Sequence, residues 1–507
     1  MNRTNADTRF MEELEPRKLL SGDAGSLSFE AFYPEGFAHD GISEFVPITN
    51  PNDVQIEYEL HARYAKGDRD QLIQRGVIPA QTRRGVVINR AGQPQTLRVR
   101  PNEPYALVLK ASAPVGATIS HYDFGTAIGE TFTQKTSTEW TFGEGRRGAT
   151  TRDFVVVYNP SDQDAAITLT VFTETGQTKT LTRVVGAQRR GGWNLATSTT
   201  LPQGEFGVRV TSTVPIVAAI SAYQIDTEQG FGAIGEADGG ATAGVINGIK
   251  IRDESRRGGS SGDSSKDDGS TDDNPSGDDG STDDSTSSPN RANAFIKILN
   301  TNPAAARVTF TFIPKKESLD PSLVPPPQTI DVPAGSHSQI SILDLAPPLD
   351  EDFTLVYRSD APVTVTASRF EAADAVGVEA ASIAATQWTF GEGFMSQNRA
   401  GAAVTEDVYL FNPTNKTFNV TIEFFFNNGT RVGLTKSLSS LEVEDVEVHD
   451  LLEITSIASQ VFYGIRITSP TPIVSTMEHW DRDLGGGFAT LGLPGGTIVD
   501  VADVLVL

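Results

Sequence analysis

The chain repeats itself four times, and a repeat of about 100 residues built from short alternating segments limits the fold to tandem copies of one small β unit. Asn-Pro preceded by an apolar run occurs at Pro51, Pro160, Pro303 and Pro413, in FVPITNP, FVVVYNP, FIKILNTNP and VYLFNP. Each is followed by alternating apolar residues, VQIEYEL, AAITLTVF, ARVTFTF and FNVTIEFFF. That period of two marks a strand with one packed face and one wet face. Asn-Pro therefore reads as the turn between two strands, Pro fixing φ and Asn bonding to nearby backbone.

A second signature follows each time, in SAPVGATISHY, STVPIVAAISAY, SDAPVTVTASRF and SPTPIVSTMEHW. An aromatic lies eight residues after the Pro, pairing Pro114 with Tyr122, Pro215 with Tyr223, Pro362 with Phe370 and Pro472 with Trp480. The turn Pro and this later Pro are 63, 55, 59 and 59 residues apart, a spacing too regular for accident. The even offset predicts that Pro and aromatic share a face if the strand runs without a bulge.

Three modules open with a further element: Tyr33-Pro34-Glu35-Gly36, then Trp140-Thr141-Phe142-Gly143-Glu144-Gly145, then Trp388-Thr389-Phe390-Gly391-Glu392-Gly393. The third module lacks these letters, and an acidic tract stands in their expected place. This order of Trp-x-Phe-x-Glu-Gly, strand, Asn-Pro, strands and a late Pro-aromatic strand resembles repeats of bacterial cell-surface proteins. The resemblance implies an immunoglobulin-like β-sandwich. Independently, YALVLKAS, EFGVRVTS, FTLVYRSD and YGIRITS are short alternating segments bounded by Gly, Pro, Asn and Asp, as in a sandwich. The expected architecture is all-β, with four tandem sandwiches over 25–133, 134–250, 291–385 and 386–507. Helical candidates are few: LEVEDVEVHDLLEI (Leu441 to Ile454), as easily a strand and one helical turn, and ISILDLAPP.

Charge sets the remaining boundary. The net charge is −24, and the 22 residues from Asp263 to Asp284 carry −8 of it, from nine Asp and one Lys. Only Gly, Ser, Thr, Asn and Pro separate these charges, so nothing in the tract offsets its ordering entropy. Residues 251–290 are expected to be a disordered linker between two pairs of modules, with an r.m.s. reach of roughly 35 Å or more. Limited proteolysis between about Arg256 and Pro289 would then release two resistant halves. Asp267, Asp268, Asp272, Asp273, Asp278, Asp279, Asp283 and Asp284 fall in two copies of DDGSTDD, which suggests weak calcium contacts. Adjacent acidic pairs lack the fixed alternate ligands of a calcium loop, and a self-repelling spacer is the competing reading. The acidic balance disfavours nucleic acid and anionic lipid. The absence of Cys excludes disulfides, thiolate metal sites and Cys nucleophiles.

No run approaches 18 apolar residues, so no transmembrane segment is expected. Residues 1–24 are polar and lack the apolar core of an ordinary signal peptide. Within them Leu14, Glu15, Pro16, Arg17, Leu19 and Leu20 resemble the LEPR-XLL motif of large bacterial surface or exported proteins. That resemblance implies an extracellular or cell-surface location and no chemistry.

Motifs for chemistry are sparse. Gly230-Phe231-Gly232-Ala233-Ile234-Gly235 matches a dinucleotide fingerprint, but EADGGATAG after it cannot open the required helix. DFGTAIGE, ADAVGVE and GGGFATLG recur at equivalent places, so the glycines read as an end-of-module turn. Gly258 to Gly262 matches GxSxG only within the Gly/Ser tract. His121 and His479 each precede the late aromatic and are followed by Asp. With Ala222 and Arg369 in the other modules, an outward strand position is expected, with a metal or sugar contact as the sharper alternative. Glu35, Glu144 and Glu392 lie in separate modules and read as carboxylates capping backbone near Gly. Arg-Arg-Gly at Arg83, Arg146, Arg189 and Arg256 reads as solvated loop charge. Trp140 and Trp388 read as core or inter-module plugs, or less readily as sugar platforms. Sequons begin at Asn415, Asn419 and Asn428.

Two function classes fit these residues. One is a non-enzymatic surface or extracellular structural and adhesive array, binding cell-envelope or matrix components, glycans among them, through loops at the sandwich ends. The other is a carbohydrate- or calcium-binding accessory protein. An enzyme ranks third, because no module gathers nucleophile, base and orienter. No cofactor is expected beyond the calcium contacts.

Overall fold

The computed structural model describes residues 26–66, 70–251, 294–315, 323–346, 349–371, 374–398, 401–458, 460–481 and 484–507. The LEPRKLL segment and all eight candidate calcium-binding Asp residues lie outside the described residues, as does the expected linker beyond Ile251. Strands of five residues or more are numbered here in chain order. The first module contains β1 (Phe29–Tyr33), β2 (Ser43–Asn50), β3 (Ile56–Tyr64), β4 (Gln71–Ile78), β5 (Thr82–Asn89), β6 (Tyr105–Ala111), β7 (Gly116–Asp123) and β8 (Thr126–Thr131). Two antiparallel sheets, β1-β6-β3-β4 and β5-β2-β7-β8, enclose one apolar core, which makes this a two-layer sandwich.

The second module repeats the plan with β9 (Ser137–Phe142), β10 (Phe154–Tyr158), β11 (Ala165–Phe172), β12 (Thr178–Val185), β13 (Arg190–Asn194), β14 (Gly207–Gln224) and β15 (Gln229–Ile234). The third has β16 (Ala241–Ile251), β17 (Ala294–Asn300), β18 (Ala306–Pro314), β19 (Gln328–Val332), β20 (Ser336–Ser341), β21 (Leu349–Glu371) and β22 (Asp374–Glu379). The fourth has β23 (Ile383–Phe390), β24 (Phe394–Asn398), β25 (Gly401–Phe411), β26 (Phe418–Phe426), β27 (Arg431–Leu438), β28 (Val443–Glu447), β29 (Gln460–Asp481), β30 (Gly486–Leu491) and β31 (Leu493–Asp500). The chain is thus all-β, with four immunoglobulin-like sandwiches, each around its own apolar core. Leu441 to Ile454 is strand β28 followed by short helical turns, and ISILDL holds one turn, Ile342–Leu345.

The late Pro marks the corner where one long strand crosses from one sheet to the other. In β14 the pairing with β11 ends at Ser212 and the pairing with β10 starts at Val217, on either side of Pro215. In β29 the pairing with β26 ends at Thr468 and that with β25 starts at Val474, around Pro472. A residue with no N–H is tolerated at such a corner, outside both ladders. The expected shared face of Pro and aromatic is therefore not kept: Pro114, Pro215 and Pro362 are exposed, while Tyr122 and Tyr223 are buried.

The third module has its opening strand after all. β16 pairs with β21 as β1 pairs with β6, β9 with β14 and β23 with β29. Gly244 and Ile246 face Tyr357 and Leu355, where Trp140 and Phe142 face Val210 and Val208. The element lost its letters and kept its place, so in sequence the acidic tract falls between β16 and β17, two strands of the same sandwich. The opening strand of that sandwich is thus Ala241–Ile251, which takes the last ten residues of the span read from the sequence as module two and the first of the expected linker.

The modules close a ring. β8 packs on β15, β15 on β22, β22 on β30 and β30 back on β8, so the two pairs also meet each other. At three of the joints an apolar side chain enters the space left by a glycine: Ile128 against Gly232, Phe231 against Gly377 and Phe488 against Gly129, where a Cβ would overlap the neighbour. Ala489 takes the glycine's register position in the fourth module. Each of these three joints uses the knob of one module and the hole of the next, a head-to-tail contact in a ring of four copies. Gly230 and Gly232 therefore lie within strand β15, and the end-of-module turn expected for this cluster is corrected by close packing at the ring's centre.

Candidate functional site

A fully buried Asn at or just before each Asn-Pro turn (Asn50, Asn159, Asn300 and Asn412) holds the turn together. Asn50 shares its amide hydrogens among the carbonyls of Val54, Ile78 and Pro79 at 2.9, 3.1 and 2.8 Å, while its Oδ1 accepts from the Asn52 N–H. Asn159 and Asn412 make the same set, to Gln163, Val185 and Gly186 and to Lys416, Leu438 and Ser439. In the third module the clamp is Asn300, two residues before the Asn302-Pro303 pair that carries the sequence match. Asn52 and Asn302 donate in turn to the carbonyls of Pro114 and Pro362 at 2.8 and 2.7 Å, tying the two signatures to each other.

Six residues before the clamp, three modules carry an acid that the sequence reading missed: Glu44, Asp153 and Glu406. Each accepts from the backbone N–H two residues after the motif Glu, at Phe37, Arg146 and Phe394, at 3.3, 2.6 and 2.8 Å. The backbone-capping role expected of Glu35, Glu144 and Glu392 belongs to these acids instead. In the first and fourth modules the acid also holds the histidine. Glu44 meets His121 Nδ1 at 2.8 Å and accepts from Tyr105 Oη at 2.7 Å. Glu406 meets His479 Nδ1 at 2.8 Å and accepts from Tyr463 Oη. Both histidines are buried, at 5% and 1% exposure, which corrects their expected outward position. Burial pulls the His479 imidazole down, but its hydrogen bond and the charge of Glu406 outweigh that and raise it to about 8. His121 is raised by the same opposition of burial and Glu44. Where Ala222 replaces the histidine, Asp153 has no such partner in that strand, and burial pushes its carboxyl up to about 7.

The motif glutamates point across the joints. Glu392 accepts from Ser120 Oγ of the first module at 2.6 Å, and Tyr122 Oη lies 3.3 Å from His479 Nε2. Glu144 accepts from Ser368 and pairs with buried Lys297 of the third module. Ser120 and Ser368 each stand two residues before the late aromatic. At the joint between modules three and four the motif Glu is missing. Its place is held by Gly248, the serine is replaced by Glu478, and Arg369 bonds both. At the joint between modules one and two, Glu35 Oε2 is buried without a hydrogen-bond partner, and burial raises its carboxyl to about 7 despite Arg190.

The other singled-out residues are placed as follows. Trp140 and Trp388 are buried core residues whose Nε1 donates to Ile216 and Ile473 carbonyls at 2.8 and 2.9 Å. Arg83, expected in solvent, is buried with its guanidinium 4.8 Å from the Phe462 ring of the fourth module, and Arg190 is half-buried near Glu35. Arg256 lies outside the described residues. Glu392, Glu406 and His479 bring one ligand atom each within 4.8 Å of one another, the spacing of a three-donor metal set. Each donor already has a hydrogen-bond partner: His479 Nδ1 and the Phe394 N–H on Glu406, Ser120 on Glu392. The arrangement is that of a satisfied polar network, which fixes geometry.

A joint built this way needs at least two adjoining modules, and the span matched by a known protein family has that extent. The chain belongs to the DUF5719 family, a family of unknown function. The DUF5719 match runs over residues 130–436, from the end of β8 into β27, and takes in the whole second and third modules. No curated protein matches the chain in sequence. Among solved structures, Thermotoga maritima 1070 is 15% identical and aligns with 21% of this chain and 97% of its own, at a TM-score of 0.20. The Anabaena sensory rhodopsin transducer is 23% identical over 17% of this chain and 82% of its own, at 0.16. A tetra-tandem repeat from the extending region of a large adhesion protein is 10% identical over 89% and 92%, at 0.11. Scores this low carry no argument about arrangement or role.

Proposed function

We propose that this DUF5719 chain is a non-enzymatic structural protein of the cell surface or extracellular space, with four sandwiches acting as one rigid spacer whose outer loops meet envelope or matrix components. The observation that carries this reading is the use of the titratable clusters. The Glu–His pairs and two of the three motif glutamates are bonded within or between modules, facing neighbouring sandwiches and away from solvent. Acid and base groups held this way stabilise an assembly and offer no open position to a substrate. The outer edge strands carry exposed polar and charged residues, Thr178, Lys179, Thr180, Thr182 and Arg183 on β12 and Arg431, Thr435 and Ser437 on β27, which suits solvent contact and discourages edge-to-edge pairing. No helix among the described residues is long and apolar enough to cross a membrane. The LEPRKLL resemblance supplies the location.

Tagged protein should reach the cell surface with Leu14 to Leu20 intact and accumulate inside when that segment is deleted. Equal localisation of the two forms would remove the surface reading. A saturable calcium heat in calorimetry would favour the calcium-binding accessory role over a purely structural one.

A further inference from the structure

In the first, second and fourth modules the opening strand is joined to the next numbered strand by nine, eleven and three residues, from Tyr33 to Ser43, Phe142 to Phe154 and Phe390 to Phe394. In the third, residues 252–293 separate Ile251 from Ala294. Yet β16 is no loose edge. On one side it pairs with β21 from Ala241 to Ile251, and on the other Val245 and Ala381 exchange both backbone hydrogen bonds, at 3.0 and 2.8 Å. Both faces are buried. Ile246, Ile249 and Ile251 enter the core of the third sandwich, while Ala243 and Val245 enter the apolar seam between the third and fourth modules. Between them, Asn247 donates to Thr476 of the fourth module at 3.0 Å and accepts from Thr354 of the third at 2.7 Å. Gly248, at φ 71°, turns its carbonyl to Arg369 through a bulge that a side chain would strain.

We infer that β16 is a donated strand: the chain before residue 252 fills a slot in the sandwich built by the chain after residue 293, and the two parts remain one particle when the connection between them is cut. The slot is specific for this segment of the chain. It requires apolar residues on two faces, an amide at the position of Asn247 and a glycine at the bulge, and ATAGVINGIKI meets all three. This reverses the expectation that cleavage of the acidic tract releases two halves. A protease acting there would convert one chain into two that stay interlocked, a property suited to a protein exposed to extracellular proteases.

The test uses the full chain with a specific protease site inserted between Gly269 and Ser270, folded and then cut. A denaturing gel should show two pieces, and light scattering after native gel filtration should show one particle of about the uncut mass, 54.3 kDa. Amide hydrogen exchange at residues 243–249 should remain as slow as in uncut protein. Separation of the pieces overturns the inference. So does a single particle whose 243–249 amides exchange 100-fold faster, because the ring joints alone would then hold it. In the cut chain Ile246→Asp should release or unprotect the strand. If that variant fails to fold, the cut of the unaltered sequence decides alone.

Discussion

At the scale of single residues, the most demanding positions are the buried asparagines. Asn412 pairs three main-chain carbonyls and one N–H, of which the Leu438 carbonyl and the Thr414 N–H are buried and the Lys416 and Ser439 carbonyls partly so. A buried carbonyl left unpaired costs about 1–3 kcal/mol, so Asn412→Ala should lose on the order of 3 kcal/mol of stability. Urea unfolding followed by Trp fluorescence would measure it, and a loss under about 1 kcal/mol would show that the turn holds without its clamp. His479 makes a second prediction. Its pKa is raised to about 8 by Glu406, so the protonated pair stabilises the fold fully below 6.5, and that contribution is lost as pH rises through about 8. An NMR titration of the His479 ring should give a midpoint above 7, and Glu406→Gln should move it down by at least one unit. A midpoint near 6.5 in the unaltered protein would contradict the pairing.

At the scale of elements, the ring depends on strands that come within reach only because a glycine stands at the crossing. Gly377→Leu would drive a side chain into Phe231 of the second module. Overpacking of this kind costs about 1–3 kcal/mol, and here it should open one joint without unfolding either sandwich. The expected result is a larger hydrodynamic radius with unchanged far-ultraviolet circular dichroism; a change in the latter alone would place the damage inside the module. The strands themselves were legible in the sequence because their period of two follows from one wet and one dry face. So was the Asn-Pro turn, since both residues act on adjacent backbone. The acid six residues before the clamp was equally visible at Glu44, Asp153 and Glu406, but its partner in two modules lies about 75 residues further along the chain. The opening strand of the third module was hidden because its Trp and Glu are Gly244 and Gly248, and only pairing with β21 reveals it. The exchange of Ser for Glu478 opposite Gly248 makes sense only once the joint is assembled.

At the scale of the whole molecule, the buried groups that titrate near neutrality lie at the joints or beside them. Burial raises Glu35, Glu130, Asp153 and Glu236 to about 7. Glu130 bonds both Ile234 N–H of the second module and Thr490 of the fourth, and Glu236 accepts from Ser382 at the start of the fourth. A carboxyl raised in the folded state favours assembly while it is protonated. The stability it leaves intact below about 4 is progressively lost as pH climbs past the unfolded value and through 7. His479 acts in the same direction through about 8. Glu59 and Asp238 are lowered, so their contributions are present above their ordinary values and stay constant from pH 5 to 9. Above pH 6.5 the sum points one way, because the opposing shifts of His337, lowered to about 4 by burial, and of His61, also lowered, act only below that value: the ring should loosen from pH 6.5 to pH 9, while four apolar cores hold each sandwich. Small-angle scattering should therefore show a radius of gyration that grows from pH 6.5 to 9 with secondary structure unchanged. Glu130→Gln combined with Glu236→Gln removes two of the charges that form on this path and should flatten the curve. A radius that is constant over the range, or that grows toward acid, would mean that the joints are held by knob and glycine packing alone.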